Sequence, residues 1–297
     1  MAVADDFIRK LLGRKPTLPP EVEKAQAELA RLAQERPVLA ELAGQLSDFL
    51  LALYAGPIRV VVPTITKETA TEKLHAGVPL LRGETVDVDW LAAQRRLQDV
   101  VAALAQRRAD AAPPLARAVR SGKLVMAGLA SAALAGQPEK IHERAASFDL
   151  DTSLVASVVS LTLFPVLVPI RAGLEPLLSA VAWAHGYCPV CGSFPKLGEF
   201  RGLEQIRFLR CGMCAAQWQF PRLRCPGCGQ RDHRRLGYLH VVGEENKWRA
   251  AICEECRQYV KMVSTLTPLL PLQLLVTDVA TVHVDLLAAD KGFSPPM

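Results

Sequence analysis

Every one of the eight cysteines in this chain belongs to a C-x-x-C pair: Cys188/Cys191, Cys211/Cys214, Cys225/Cys228 and Cys253/Cys256. None lies before residue 188 or after residue 256. One C-x-x-C hairpin offers two thiolates to a metal ion, and two hairpins close a tetrahedron. Four hairpins therefore predict two four-sulfur metal sites. The 19 residues between Cys191 and Cys211 suit a paired-hairpin site, and the 24 between Cys228 and Cys253 require a somewhat longer loop. Only 10 residues separate Cys214 from Cys225. Sequential pairing thus gives site one as Cys188, Cys191, Cys211 and Cys214, and site two as Cys225, Cys228, Cys253 and Cys256.

An internal repeat supports that pairing. CPVCGSFPKLGEF and RFLRCGMCAAQW are echoed by CPGCGQRDHRRLGYL and RAAICEECRQYV. Each half opens on Cys-Pro-x-Cys-Gly, reaches a Leu-Gly turn with an aromatic residue, and brings a basic, apolar strand into its second pair. Gly192, Gly212, Gly227 and Gly229 lie within or just after the hairpins. Turns that aim amide N–H groups at sulfur often need positive φ there, which glycine tolerates. Four thiolates hold iron or zinc in nearly the same geometry. A rubredoxin-type iron site uses the same Cys-Pro-x-Cys-Gly turn, and zinc is the commoner structural occupant, so the ligand set leaves both ions open. A disulfide framework fits less well, because MAVADDFIRKLLGRK has no apolar signal-peptide core. A thioredoxin-like pair would open a helix after a strand, whereas these hairpins sit among prolines, glycines and strand-like segments.

A length of 297 residues suggests two or three domains, and 50% hydrophobic residues can fill a large core. Reduced thiols and the lack of a secretion signal point to the cytoplasm. The longest apolar run, Leu154 to Ile170, is short for a membrane span and is cut by Pro165 and Pro169. It is expected to form a buried helix pair. The net charge is +5, of which residues 183–264 carry +6 from 13 Lys/Arg and 7 Asp/Glu. Two ferric tetrathiolate centres would leave this region at about +4 and two zinc centres at about +2. The thiolates therefore offset much of the basic excess.

Along the chain, residues 1–16 are expected to be frayed. Helices are expected over EVEKAQAELARLAQERP, interrupted by Pro37, and over VLAELAGQLSDFLLALYAG. Residues 58–84 read as an extended loop with short turns. Asp87 or Asp89 can cap DWLAAQRRLQDVVAALAQRRAD, in which Trp90, Leu97, Val100, Val101 and Leu104 recur at helical spacing. Pro113 and Pro114 open a further helix, IHERAASFDL forms a short one, and Asp151 can cap TSLVASVVSLTLF. A last helix is expected from Pro165 or Arg171 to His185. At Gly186 the composition turns to glycine, proline, cysteine and arginine, and six short strands follow. The fold class is therefore α+β and multidomain: an all-α N-terminal domain followed by two small rubredoxin-like or zinc-ribbon β modules. The expected divisions are 1–19 as an N-terminal segment, 20–185 helical, 186–224 and 225–264 as the metal modules, and 265–297 as a tail packing back on the domains.

No P-loop, dinucleotide-binding glycine motif or nucleophile elbow occurs. The six histidines, His75, His142, His185, His233, His240 and His283, lie in no ligand-spaced motif, though His185 is placed to donate to a thiolate of the first hairpin. Asp278 and Asp285 fall seven apart on one face of an expected helix and read as a cap and a solvated carboxylate. No catalytic residues emerge, so the chain reads as a non-enzyme without a small-molecule substrate.

HGYCPVCGSFP, RFLRCGMCAAQW, RCPGCG and AAICEECRQYVK, followed by TDVATVHVDLLAADKG, resemble the formate dehydrogenase accessory protein family (FdhE-like). The resemblance spans a helical first half, four ordered C-x-x-C pairs and an Asp-bearing apolar tail. It implies a cytoplasmic maturation factor that contacts the catalytic subunit of a respiratory formate dehydrogenase before export. It also implies two rubredoxin-like folds in which the eight cysteines bind metal, and it tilts the metal from zinc toward iron. No nucleic acid and no membrane insertion are expected.

Two other functions compete. Arg207/Phe208/Arg210, Trp218/Phe220/Arg222/Arg224 and Arg231/Arg234/Arg235 interleave stacking and phosphate-binding types, as a nucleic-acid-binding zinc ribbon would. A rubredoxin-like electron carrier would use two iron centres, but carriers of that kind are usually small and acidic.

Overall fold

A computed structural model describes residues 18–107 and 112–296 of the chain. The expected fraying of residues 1–16 and the end of the helix expected through Asp110 lie outside the described residues.

Eight α-helices make up the described N-terminal half. α1 (Pro20–Glu35) starts on a proline at its first position, where no N–H is missed, and buries Val22, Ala25 and Leu29. α2 (Ala40–Leu53) follows a short 3-10 turn at Pro37–Leu39 and returns antiparallel against it. A two-stranded ribbon, β1 (Val60–Val61) with β2 (Asp87–Val88), flanks α3 (Lys67–His75). That helix corrects the reading of residues 58–84 as loop. Only Ala70 and Leu74 are buried on it, too few to show a 3.6-residue period. The local signal is Thr66, whose hydroxyl accepts from the Thr69 amide as an N-cap.

α4 (Trp90–Arg107) is capped by Asp89, which accepts from the Ala92 amide at 2.9 Å, and buries Ala93, Leu97, Val100, Val101 and Leu104. α5 (Ala112–Arg120) packs on α4, while α6 (Met126–Leu134) and α7 (Pro138–Ala146) pack on α8 (Thr152–Leu174), which Asp151 caps through the Leu154 amide. α8 is one helix, not the expected pair, and a 3-10 turn at Glu175–Ala180 succeeds it in place of the helix expected to reach His185. Val155, Val158, Val159, Leu163, Val166, Leu167, Ile170 and Leu174 keep helical spacing through both prolines. Burying each such side chain contributes about 1.5–3 kcal/mol, which together offsets a cost of roughly 3 kcal/mol per interior proline. With its 3-10 extension this is the one described helix long and apolar enough on its own to cross a membrane, and 50% of its 18-residue apolar window is buried inside the protein.

The second half is built on one six-stranded sheet in the order β5-β4-β3-β8-β7-β6. The strands are β3 (Pro195–Arg201), β4 (Ile206–Cys211), β5 (Gln217–Gln219), β6 (Leu236–Leu239), β7 (Trp248–Cys253) and β8 (Tyr259–Thr265). Each repeat contributes an antiparallel three-stranded meander. The meanders join through β3 and β8, the only parallel pair of this sheet, with Leu197 opposite Lys261 and Arg201 opposite Thr265. A helical body followed by two zinc-ribbon-like modules is thus the observed architecture, with the modules fused edge to edge.

Two C-terminal helices cover one face of the sheet. α9 (Pro271–Ala280) packs on α1 and α2, and α10 (Val282–Asp290) lies under β6, β7 and β8, where Val284 and Ala288 meet Ala250, Ile252, Tyr259 and Phe293. They meet at Thr281 with a bend of 51°, so Asp278 and Asp285 do not share one helix.

Candidate metal centres

All four C-x-x-C segments adopt the same turn. In each, the amide of the residue after the second cysteine donates to the carbonyl of the first: Gly192 to Cys188, Ala215 to Cys211, Gly229 to Cys225 and Arg257 to Cys253, at 2.9–3.1 Å. In each, the amide of the first cysteine donates to the carbonyl two residues beyond the second, at 2.8–2.9 Å (Ser193, Ala216, Gln230, Gln258). The residue after the second cysteine takes positive φ every time: +84° at Gly192, +58° at Ala215, +77° at Gly229 and +57° at Arg257. Glycine was expected at this position, and two of the four turns manage without it. Gly212 and Gly227 serve another purpose, leaving room for the Lys196 side chain and the Gln258 amide, which a Cβ would strike.

The turns bring the cysteines together in two groups. Cys188, Cys191, Cys211 and Cys214 form one, with Sγ separations of 3.5 Å (Cys188–Cys214) and 3.4 Å (Cys191–Cys211). Cys225, Cys228, Cys253 and Cys256 form the other, at 3.6 Å (Cys225–Cys256) and 3.7 Å (Cys228–Cys253). Within each group all four sulfurs lie within 4.8 Å of one another. A tetrahedral ion with metal–sulfur bonds of about 2.3 Å spaces its ligands roughly 3.8 Å apart, so both groups fit a four-thiolate metal. The backbone fits as well: Val190 N–H points at Cys188 Sγ and Met213 N–H at Cys211 Sγ, each at 3.4 Å. Such amides spread the negative charge of a thiolate cluster.

Protonation points the same way. Burial pushes the Cys188 and Cys214 thiols well above their ordinary range, while hydrogen bonds from Cys188, Cys211 and Cys214 hold Cys191 well below it. At site two, burial raises Cys225 and Cys256. At Cys228 it is outweighed by the Gln230 amide and the neighbouring thiols. Four adjacent sulfurs cannot all ionise alone, and a bound cation would deprotonate them together.

The two groups differ in surroundings. Site one is closed: its cysteines are at most 1% exposed and belong to the main hydrophobic core. The helical half reaches it directly, as Leu80 and Leu81 donate to the Pro189 and Val190 carbonyls at 2.8 and 2.9 Å, and Tyr187 Oη donates to the Gly77 carbonyl at 2.6 Å. Site two is open: Cys228 is exposed and Cys256 half-buried. Its turns lean on the C-terminal tail. Ser294 donates to the Arg257 carbonyl and accepts from Tyr259 N–H, both at 2.9 Å, and the Arg257 guanidinium stacks on Phe293 at 3.9 Å. The two sites adjoin, since Gly186 lies directly against the Pro226 carbonyl with no room for a Cβ.

Asp278 and Asp285, expected as a cap and a solvated carboxylate, jointly clamp Lys261. Its Nζ is 2.5 Å from Asp278 Oδ1 and 2.7 Å from Asp285 Oδ2, and the side chain is 3% exposed. Tyr259 donates to Asp285 at 2.7 Å, and Lys196 pairs with Asp278 at 3.1 Å. Despite the opposing cost of burial, these lysines hold the Asp278 carboxyl below its ordinary range. The clamp ties the tail helices to the central strand. His185 is not a thiolate donor: its ring sits between Trp183 and Tyr187, with centroids at 4.7 and 5.1 Å.

Much of the interleaved basic and aromatic pattern is spent inside. Arg207, Arg210, Trp218 and Phe220 are all at most 5% exposed. Arg210 is paired with the fully buried Glu199, and Arg207 Nη1 donates to the carbonyls of Pro221 and Arg224 at 3.3 and 3.1 Å. Rings and guanidiniums held this way cannot stack bases or grip phosphates.

Residues 187–222 match the model of the FdhE central domain. Protein FdhE homolog of Stutzerimonas stutzeri (strain A1501) is 38% identical over 111 residues, which are 36% of this chain and 35% of that protein. Protein FdhE homolog of Aquifex aeolicus (strain VF5) is 33% identical over 114 residues, or 37% and 40% of the two chains. The matched stretch therefore spans well under half of either curated relative. The crystal structure of the FdhE protein from Pseudomonas aeruginosa superposes over 93% of this chain and 94% of that one, with a TM-score of 0.57 at 24% identity. The chain is FdhE-like, in fold along nearly its whole length and in sequence over the stretch that carries the first two cysteine turns.

Proposed function

We propose that this protein is a cytoplasmic, non-enzymatic accessory factor that binds the catalytic subunit of a respiratory formate dehydrogenase and is needed for that enzyme's activity or assembly. The observation that carries this reading is the double cysteine-turn sheet on a helical body, in a chain similar to proteins named FdhE. Cys188, Cys191, Cys211 and Cys214 ligate one ion, and Cys225, Cys228, Cys253 and Cys256 ligate the other. Iron occupies both, with zinc as the alternative. Residues 20–185 form the helical domain, 186–224 and 225–264 the two metal modules, and 265–297 the tail, with residues 1–19 preceding them. Neither nucleic acid, membrane insertion nor a small-molecule substrate enters this role.

The metals supply shape. Small ribbons cannot bury enough apolar surface alone, and a structural zinc site contributes roughly 10–16 kcal/mol in model peptides. Iron would in addition bring a one-electron couple. The protein's own part is to hold the thiolates, aim amides at them and exclude water from site one.

The test is a host lacking this gene. Formate dehydrogenase activity is expected to disappear, to return with the wild-type gene, and to stay absent with a Cys191→Ser/Cys211→Ser variant. The catalytic subunit is expected to co-purify with the tagged wild-type chain. Undiminished formate dehydrogenase activity in the deletion host would refute the reading. Elemental analysis with a visible spectrum of air-excluded protein separates iron, with its thiolate-to-ferric charge-transfer bands, from colourless zinc.

A further inference from the structure

The six-stranded sheet is covered unequally. α10 shields one face of β6 and β7, with Val284 and Ala288 against Ala250 and Ile252. The opposite face carries Tyr238 on β6 and Arg249 on β7, and the linking segment 221–227 and Pro296 of the tail line the cleft beside it. Arg222 from that segment and Arg249 both stack on the Phe200 ring, at 5.0 and 4.8 Å, and Arg249 also lies over Tyr238 at 5.3 Å. Phe200 is fully buried beneath them, whereas Tyr238 is 39% and Leu223 65% exposed. Between the linker and the sheet lies a cleft of about 50 Å³ lined by Arg207, Arg222, Leu223 and Tyr238.

Cys225 and Cys253 of site two line this cleft, but among the described residues no carboxylate pairs with the guanidiniums of the face. Among the described residues, Arg207, Arg222 and Arg249 form no salt bridge, although Arg231's neighbours Arg234 and Arg235 each hold a carboxylate. Arg207 is 3% exposed, and its Nε has no hydrogen-bond partner. Its Nη1 is already held by the Pro221, Arg222 and Arg224 carbonyls, so the guanidiniums open to a ligand are those of Arg222 and Arg249. Stacking on an aromatic ring fixes the plane of a guanidinium in advance, so little freedom is lost when a carboxylate binds through two parallel hydrogen bonds. Beyond β6 the sheet has a free edge, which suits an extended chain. Leu223 adds an apolar contact at the rim.

We propose that this open arginine–aromatic face, framed by Arg222, Leu223, Tyr238 and Arg249, docks an acidic, extended segment of a partner polypeptide. The proposal rests on the reading of the chain as a client-binding factor and names the chemistry of the client segment. A nucleic acid is the poorer fit, because Phe200 is sealed under its guanidiniums and Tyr238 is the only ring of the frame left to stack on.

Two measurements test it on the full-length, metal-loaded protein. The first titrates a fluorescent peptide of alternating glutamate and glycine, its glutamine counterpart, and an oligothymidylate. The acidic peptide is expected to bind about tenfold or more tightly than the glutamine peptide, with an advantage that shrinks as salt rises. Arg222→Glu/Arg249→Glu is expected to abolish that advantage, with metal content and melting unchanged. Leu223→Asp, which leaves the Phe200 stack intact, is expected to weaken binding about tenfold through like-charge repulsion. Equal binding of both peptides, indifference to the variants, or tighter binding of the oligothymidylate at this face overturns the proposal. The second measurement is co-purification of the formate dehydrogenase catalytic subunit. Retention by the wild type and loss by both variants supports the docking face. Retention by every variant overturns the face and leaves the accessory role standing. If the subunit fails to bind the wild type while the acidic peptide binds as expected, the accessory role falls and the docking face stands.

Discussion

The two cysteine centres share one turn and differ in almost everything around it. Amide, carbonyl and φ patterns repeat at all four C-x-x-C segments. Yet site one is sealed in the main core and hydrogen-bonded to the helical half, while site two exposes Cys228 and depends on a few residues of the tail. Ligand geometry is therefore local, whereas accessibility is set by what the rest of the chain packs against each turn. Sealing suits a centre that holds the architecture together. Exposure suits one that exchanges its ion, senses an oxidant or meets a partner.

The sharpest way to break this comparison is to remove one ligand from each centre. Cys191→Ser is expected to unfold the protein, because roughly 10–16 kcal/mol for a structural site matches or exceeds the roughly 5–15 kcal/mol stability of a typical domain. Cys228→Ser is expected to lose one ion while keeping its helical circular-dichroism signal. Equal damage from both would end the distinction. Next in size, a chelator should strip the metal in two phases, site two releasing about tenfold or more faster because it opens by local motion. The Cys228→Ser protein should then show only the slow phase.

Smaller effects test the tail behind site two. Lys261→Ala leaves Asp278 and Asp285 without their shared cation, and breaking such a buried pair costs about 3–5 kcal/mol. The fast phase of metal release is expected to accelerate and the slow phase to hold. The clamp also responds to acid. Asp278 is held below its ordinary 3.8 in the fold, so its contribution is complete above that value and disappears as pH falls through the lower folded value. Melting curves of the wild type should drop through that window more steeply than those of Asp278→Asn. The smallest effect lies in the turns. Ala215→Gly relieves a left-handed conformation worth roughly 1 kcal/mol, partly offset by greater unfolded-state freedom, and should change stability by about 0.5 kcal/mol. Arg257→Gly gives up the Phe293 stack and the bond to the Lys291 carbonyl as well, and should destabilise the site-two side only.

The cysteine grouping, the repeat, the six strands and the Asp151 cap were legible because each rests on residues close in sequence. The joining of both meanders through β3 and β8 was not. Parallel pairing leaves no turn signature, and the partners Leu197 and Lys261 are separated by a complete metal module. Asp278 and Asp285 looked like one helical face because nothing in VATVH breaks a helix, whereas the bend at Thr281 separates two helices whose carboxylates both reach Lys261. Ala215 and Arg257 at positive φ run against residue preference and become apparent only when the four turns are aligned on their second cysteine. The continuity of α8 through Pro165 and Pro169 was hidden for the opposite reason: a strong local rule yielded to burial.

The β3–β8 seam also orders events on the ribosome. Strand β3 is complete at Arg201, but its parallel neighbour starts only at Tyr259, 58 residues later (259 − 201). At about 5–20 residues per second, strand β3 waits roughly 3–12 s with a bare edge. During that interval the nascent chain presents a template for any passing strand, and late arrival of the second module closes it.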